Sequence, residues 1–118
     1  MGIFCITRYK GEDSLKISFS YEENRLVAYL SGELDHHSAG GIMTKLINEI
    51  DAELPRDCVI DMKGVTFMDS SGIAVVLKSY KKMTALGGRL WVENVQSQPM
   101  HVFDAAGIDR ITAISALV

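Results

Sequence analysis

A chain of 118 residues has room for one domain and not two, and should bury roughly two-thirds of its unfolded surface in a single core. Its 12 basic and 15 acidic residues leave a formal charge of −3, which excludes the basic footprint of a nucleic-acid binder and the polybasic patch of an anionic-membrane binder. The two cysteines, Cys5 and Cys58, are far apart with no second Cys or His at ligand spacing, so neither a disulfide framework nor a zinc site is expected.

The opening "MGIFCITRYK" has no basic region ahead of its apolar residues and no long apolar run, so no signal peptide or membrane span is expected and the cytoplasm is the expected compartment. Its Met-Gly start lacks the Ser or Thr at position 6 that acylation wants, since Ile6 stands there. Leu15, Ile17, Phe19 and Tyr21 then alternate with polar residues, "YEEN" interrupts, and "RLVAYL" resumes at Arg25 to Leu30. That pattern predicts a hairpin. From Ser38 to Leu54 the apolar residues Ile42, Met43, Leu46, Ile47, Ile50 and Leu54 fall at helical spacing, with Pro55 as the stop. Gly40 and Gly41 weaken the start of that helix by roughly 1 kcal/mol each relative to alanine.

"CVIDM" at Cys58 to Met62 predicts a short central strand buried on both faces. A second helix follows "FMDSSG" through Ile73, Val76, Leu77, Tyr80, Met83 and Leu86 and leaves at Gly87-Gly88. "RLWVEN" at Arg89 to Asn94 predicts a further core strand, and Ser97 is expected to cap a short helix ending at Gly107. The apolar tail "IDRITAISALV" fits either strand or helix. The sum is an α/β fold: a mixed sheet of about four or five strands, the later ones parallel, with helices packed mainly on one face.

Two adjacent serines, Ser70 and Ser71, stand where strand gives way to helix. A serine there is most often a cap for unpaired helical N–H groups, and that accounts for one of them. An enzyme reading would make one a nucleophile with His36 or His37 as base and Asp35 orienting it. The nucleophile elbow places glycine two residues before the serine, where this chain has Met68 and Asp69. A metal at His36 and His37 lacks further donors at workable spacing, His101 standing on another helix. No catalytic residue, cofactor or metal is therefore expected.

"SGELDHHSA" at Ser31 to Ala39 together with "FMDSSGIAVVLKSYKKMTALGGRLWV" at Phe67 to Val92 resembles the anti-sigma-factor antagonists of the stage II sporulation type, within the sulfate-transporter and anti-sigma-antagonist (STAS) domain family. The resemblance runs from about Leu15 to about Ile111. It implies a single STAS-like domain over residues 15–118 behind an N-terminal extension over 1–14, which is open to disorder, an added edge strand or a partner contact. It also implies partner switching without enzymatic activity. The unphosphorylated protein would bind an anti-sigma factor that is also a serine kinase and so free a sigma factor; phosphorylation on Ser70 would end binding, and a serine phosphatase would reset it.

By the same resemblance Asp35, His36, Ser38, Asp69, Ser70, Ser71, Gly72 and Ile73 form the partner surface, and the chain acts as a monomer. With Ser71 as the cap, Ser70 would face solvent just outside the helix, while Gly72 would let a partner's backbone approach. The helical spacing of Ile73 with Val76, Leu77 and Tyr80 favours core packing for its side chain. The competing reading is a scaffolding protein of the same fold that binds a partner without being phosphorylated.

Overall fold

The computed structural model describes residues 4–6, as a strand only, and residues 17–118. The side chain of Cys5, the position of Leu15 and the boundary between residues 14 and 15 lie outside the described residues. Phe4–Ile6 forms β1, which pairs antiparallel with β2, Ile17–Glu22. An edge strand is thus one contribution of the N-terminal stretch.

The expected hairpin is present between β2 and β3, Arg25–Leu34. Its loop is the pair Glu23 and Asn24, with φ of 52° and 66°, the left-handed geometry whose twist matches the flanking strands. Helix α1 spans His36–Glu53 and so begins two residues before the Ser38 start that spacing predicts. Asp35 moves the start upstream, because its carboxylate accepts from the N–H groups of His37 and Ser38. Leu54 ends α1 in a left-handed conformation just ahead of Pro55.

Strand β4, Asp57–Met68, has 12 residues where sequence pattern predicts five, Cys58 to Met62. Its length follows from parallel pairing with β3, which runs from Arg25 beside Asp57 to Leu34 beside Met68 through two register shifts. Helix α2 spans Ser70–Ala85 and β5 spans Arg89–Val95. Helix α3, Ser97–Ala106, has Gln96 at its N-cap with no side-chain cap bond, so Ser97 is its first helical residue and not its cap. Gly107, at φ 70°, closes α3 as expected. The ambiguous tail resolves into a 3-10 turn, Ile108–Arg110, and a short strand β6, Ile114–Ala116, pinned by a 2.6 Å hydrogen bond from the Thr112 hydroxyl to Leu90 O.

The strands lie in sequential order in one sheet, β1 to β3 antiparallel and β3 to β6 parallel. Register sets Leu26, Cys58 and Leu90 abreast, and Ala28, Ile60 and Val92 one step on. These residues face Ile42, Leu46 and Ile50 of α1, Val75, Val76 and Met83 of α2, and Phe103 of α3, which together make the core. Each fully buried large side chain there contributes roughly 1.5–3 kcal/mol. Burial also pushes the Cys58 thiol up to about 12, which leaves it un-ionised and inert at neutral pH.

The other face carries Val27, Tyr29, Val59 and Trp91, with Tyr29 exposed. At the end of the sheet where β3, β4 and β5 start, Asp57 is buried and accepts from Arg25 at 3.2 Å and Arg89 at 3.0 Å. Both guanidiniums stand over the Trp91 ring, 5.0 and 5.6 Å from its centroid. No helix of the described residues is long and apolar enough to cross a membrane.

Candidate functional site

Parallel strands end side by side, so the segments leaving them are brought together at the carboxyl edge of the sheet. Leu34 and Met68 are register partners, and the next N–H along the chain, that of Asp69, donates to Leu34 O at 3.3 Å. Asp35 and Asp69 therefore lead into α1 and α2 from neighbouring strand ends, each as an N-cap. Two sequence blocks that are distant along the chain form one edge.

At Asp35 the cap is reciprocal. Its carboxylate accepts from the N–H of His37 at 3.0 Å and of Ser38 at 3.1 Å, while the Ser38 hydroxyl accepts from the Asp35 N–H at 3.1 Å and donates to Glu33 O at 2.8 Å. The Ser38 backbone bond is the main reason its carboxyl sits below the usual carboxylate range; burial opposes it, and the Ser38 hydroxyl, the His37 N–H and the His37 charge assist. Asp35 is consequently anionic and oriented. The Ser38 hydroxyl is committed to the cap. His36 and His37 are exposed on the first turn, their rings in an edge contact at 5.9 Å.

At α2 the cap differs from the sequence expectation. Asp69 holds it, accepting from the Ser71 N–H at 2.8 Å, so Ser70 and Ser71 are the first two helical residues. Asp69, at φ −111° and ψ −168°, is the last extended residue before the helix, so its carboxylate and not a serine hydroxyl stands at the N-cap. The Ser70 side chain is exposed and that of Ser71 half-buried, and neither hydroxyl has a hydrogen-bond partner among the described residues.

Gly72 is turned inward. A Cβ on it would stand 2.3 Å from Cγ and 2.6 Å from Sδ of Met68, and 3.1 Å from Leu34 Cδ2. Its missing side chain serves the close packing of α2 on the ends of β3 and β4, not a partner's approach as the sequence suggested. Ile73 packs against the core, as its spacing predicts, and its outer side joins Ser70, His101, Val102, Ala105 and Ala106 in a shallow apolar groove between α2 and α3.

One contributor is invisible in the local sequence. The Gln98 side chain on α3 bonds both backbone groups of Met68: Oε1 accepts from its N–H at 2.8 Å and Nε2 donates to its carbonyl at 3.0 Å. The two residues are far apart in the chain, and no motif connects them. Among the described residues, no three His, Cys, Asp or Glu side chains gather as metal ligands. The arrangement offers an exposed hydroxyl at a helix N-terminus, flanked by two capping carboxylates and an apolar groove.

Comparison with known proteins places this edge in context. The STAS domain family matches residues 17–117. The anti-sigma F factor antagonist of Paenibacillus polymyxa is 32% identical over 101 residues, covering 86% of each chain. The anti-sigma-B factor antagonist of Bacillus subtilis (strain 168) is 32% identical over 103 residues, covering 87% of this chain and 93% of that one. The anti-sigma factor antagonist SpoIIAA in its unphosphorylated form is similar in fold, with a TM-score of 0.72 and 26% identity over 83% of this chain and 86% of that one. The Bacillus SpoIIAA structure in the phosphorylated form gives a TM-score of 0.65, again at 26% identity, over 83% and 89% of the two chains. No enzyme family is indicated by these matches. With a family match across nearly all described residues and relatives of this identity and coverage, the chain belongs to the STAS domain family, alongside proteins named as anti-sigma factor antagonists.

Proposed function

We propose that the chain is an anti-sigma-factor antagonist switched by phosphorylation on Ser70. The unphosphorylated form binds, in the cytoplasm, an anti-sigma factor that is also a serine kinase, and so frees a sigma factor. The kinase transfers phosphate from ATP to Ser70, binding ends, and a serine phosphatase restores the hydroxyl. The partner surface takes in Asp35, His36, Asp69, Ser70, Ser71 and the outer side of Ile73.

The observation that carries this reading is the exposed Ser70 hydroxyl as the first residue of α2, beside the caps Asp69 and Asp35. Phosphorylation there adds about −1.5 to −2 charge at pH 7. The positive end of the helix dipole tolerates that charge, so the fold survives it. A docked protein does not, because the phosphate adds to two carboxylates already at the edge and must be desolvated on binding. The existence of a relative solved in both phosphorylated and unphosphorylated forms supports the same reading.

Incubation with the cognate kinase and ATP is expected to add one phosphate, which intact-mass measurement and fragment mapping place on Ser70. A phosphate on Ser71, or none with an authentic kinase, overturns the assignment.

A further inference from the structure

Strand β4 outruns β5. Their backbone pairing covers Asp57 to Asp61 against Arg89 to Glu93 and then stops, while β4 continues to Met68. Beyond that point β5 turns away through Asn94, at φ 60°. The stretch of β4 that leads to the Ser70 turn thus has β3 on one side and, among the described residues, no strand on the other. Side-chain amides fill the gap: Asn94 Nδ2 donates to the Asp61 carboxylate at 3.0 Å, Gln96 Nε2 donates to Lys63 O at 2.7 Å, and Gln98 takes both backbone groups of Met68.

The Gln98 contact differs from the other two in being two-way. A primary amide presents its oxygen and one of its N–H groups side by side in a plane, so it can supply the carbonyl and the N–H that two residues of a longer parallel β5 would have offered to Met68. Met68 is the last residue before the cap Asp69 and the acceptor Ser70. Fixing its N–H and carbonyl fixes where α2 begins.

We infer that Gln98 is a positioning residue for the switch, clamping the end of β4 so that the backbone carrying Ser70 is held where a kinase meets it, and coupling the seat of α3 to that position. The inference rests on Ser70 being the phosphate acceptor. Gln98 touches neither ATP nor the hydroxyl; it acts through Met68.

The test compares wild type with Gln98→Leu, which keeps the bulk and loses both bonds, and Gln98→Glu, which keeps the acceptor and loses the donor at neutral pH. Amide hydrogen exchange is read at Met68 to Gly72, and initial rates of phosphorylation are read with the chain's own anti-sigma factor kinase and ATP, well below every melting temperature. In Gln98→Leu, exchange at Met68 should rise at least about tenfold, and kcat/KM for phosphorylation should fall roughly tenfold to a hundredfold, mainly in kcat, as for a misplaced reacting group. Gln98→Glu should fall between the two in both readouts, and it carries the comparison if Gln98→Leu does not fold. Wild-type exchange at Met68 in both variants overturns the inference whatever the kinase does. Faster exchange with an unchanged phosphorylation rate also overturns it, since the clamp would then be structural only. A wild type that takes no phosphate on Ser70 sinks the functional reading first, and with it the positioning role assigned to Gln98.

Discussion

Asp69, Ser70, Ser71 and Gly72 are consecutive, yet the structure gives them separate tasks. The Asp69 carboxylate caps α2, Ser70 is exposed, Ser71 is half-buried without a bonding partner among the described residues, and Gly72 packs inward. Thermal melts should reflect that order. Asp69→Ala should lose about 1 kcal/mol, a fall of about 3–6 °C in a domain of this size, while Ser71→Ala should stay within about 0.5 kcal/mol. The opposite ranking would return the cap to Ser71. Gly72→Ala should destabilise by about 1–3 kcal/mol in spite of alanine's better helix propensity, because Met68 is fully buried and has little room to yield. A Gly72→Ala protein as stable as wild type would show that Met68 moves freely. Ser70→Asp should melt almost normally and bind the anti-sigma kinase about 1–3 kcal/mol more weakly, roughly ten- to a hundredfold in a titration, whereas Ser70→Ala should bind and resist release.

Helix α1 combines a reciprocal N-terminal cap with two glycines in its second turn, and these oppose each other. Gly40 and Gly41 are exposed, and a Cβ at either would meet nothing within 4 Å. Neither has a positive φ. Gly40→Ala and Gly41→Ala should therefore each raise stability, by up to about 1 kcal/mol, with the double variant close to additive in a denaturant titration. A loss of stability in either would mean that the helix start needs their flexibility. The elements themselves were largely legible: the hairpin and the helical periods follow from apolar spacing, which reports the face turned to the core, and the parallel later strands follow from helices alternating with strands. What periodicity cannot report is a boundary set by a polar side chain. Asp35 and Asp69 start their helices earlier than the apolar residues imply, and Gln96 rather than Ser97 precedes α3. Nor does it report pairing length, since Lys63 to Phe67 in β4 alternate only loosely and are held as strand by β3. The two sequence blocks of the candidate site meet at one sheet edge; that Ser38 is spent on a cap, that Gly72 faces inward and that Gln98 holds Met68 all depend on contacts made in three dimensions.

The sheet sets the candidate site apart from the buried ion cluster. Ser70 and its neighbours lie where β3 and β4 end, whereas Arg25, Asp57 and Arg89 tie the starts of β3, β4 and β5, roughly 30–35 Å away at about 3.3 Å per strand residue. That distance is several Debye lengths at physiological salt, so a phosphate at one end leaves the ion cluster at the other unperturbed. Burial pushes the Asp57 carboxyl up, but hydrogen bonds from Arg25 and Arg89, with their charges, more than offset it, and the net effect is to lower it below the ordinary 3.8. This fixes the sign of the pH dependence. Above the unfolded value both states are ionised and the cluster contributes in full; as pH falls, the unfolded chain takes up the proton first, and the contribution is lost as pH drops through the folded value. Asp35, also lowered, adds a contribution of the same sign at the other end. Asp57→Asn should therefore lose about 1–3 kcal/mol at neutral pH, because two guanidiniums lose a buried carboxylate partner. The gap from wild type should then narrow as pH falls below the ordinary 3.8, as the wild type loses what the variant never had. At a temperature where both are folded, Ser70 phosphorylation should proceed at the wild-type rate. A gap that stays constant as pH falls well below the ordinary 3.8 would show that Asp57 does not set the acid limb, and a slowed phosphorylation would show that the two ends of the sheet are coupled.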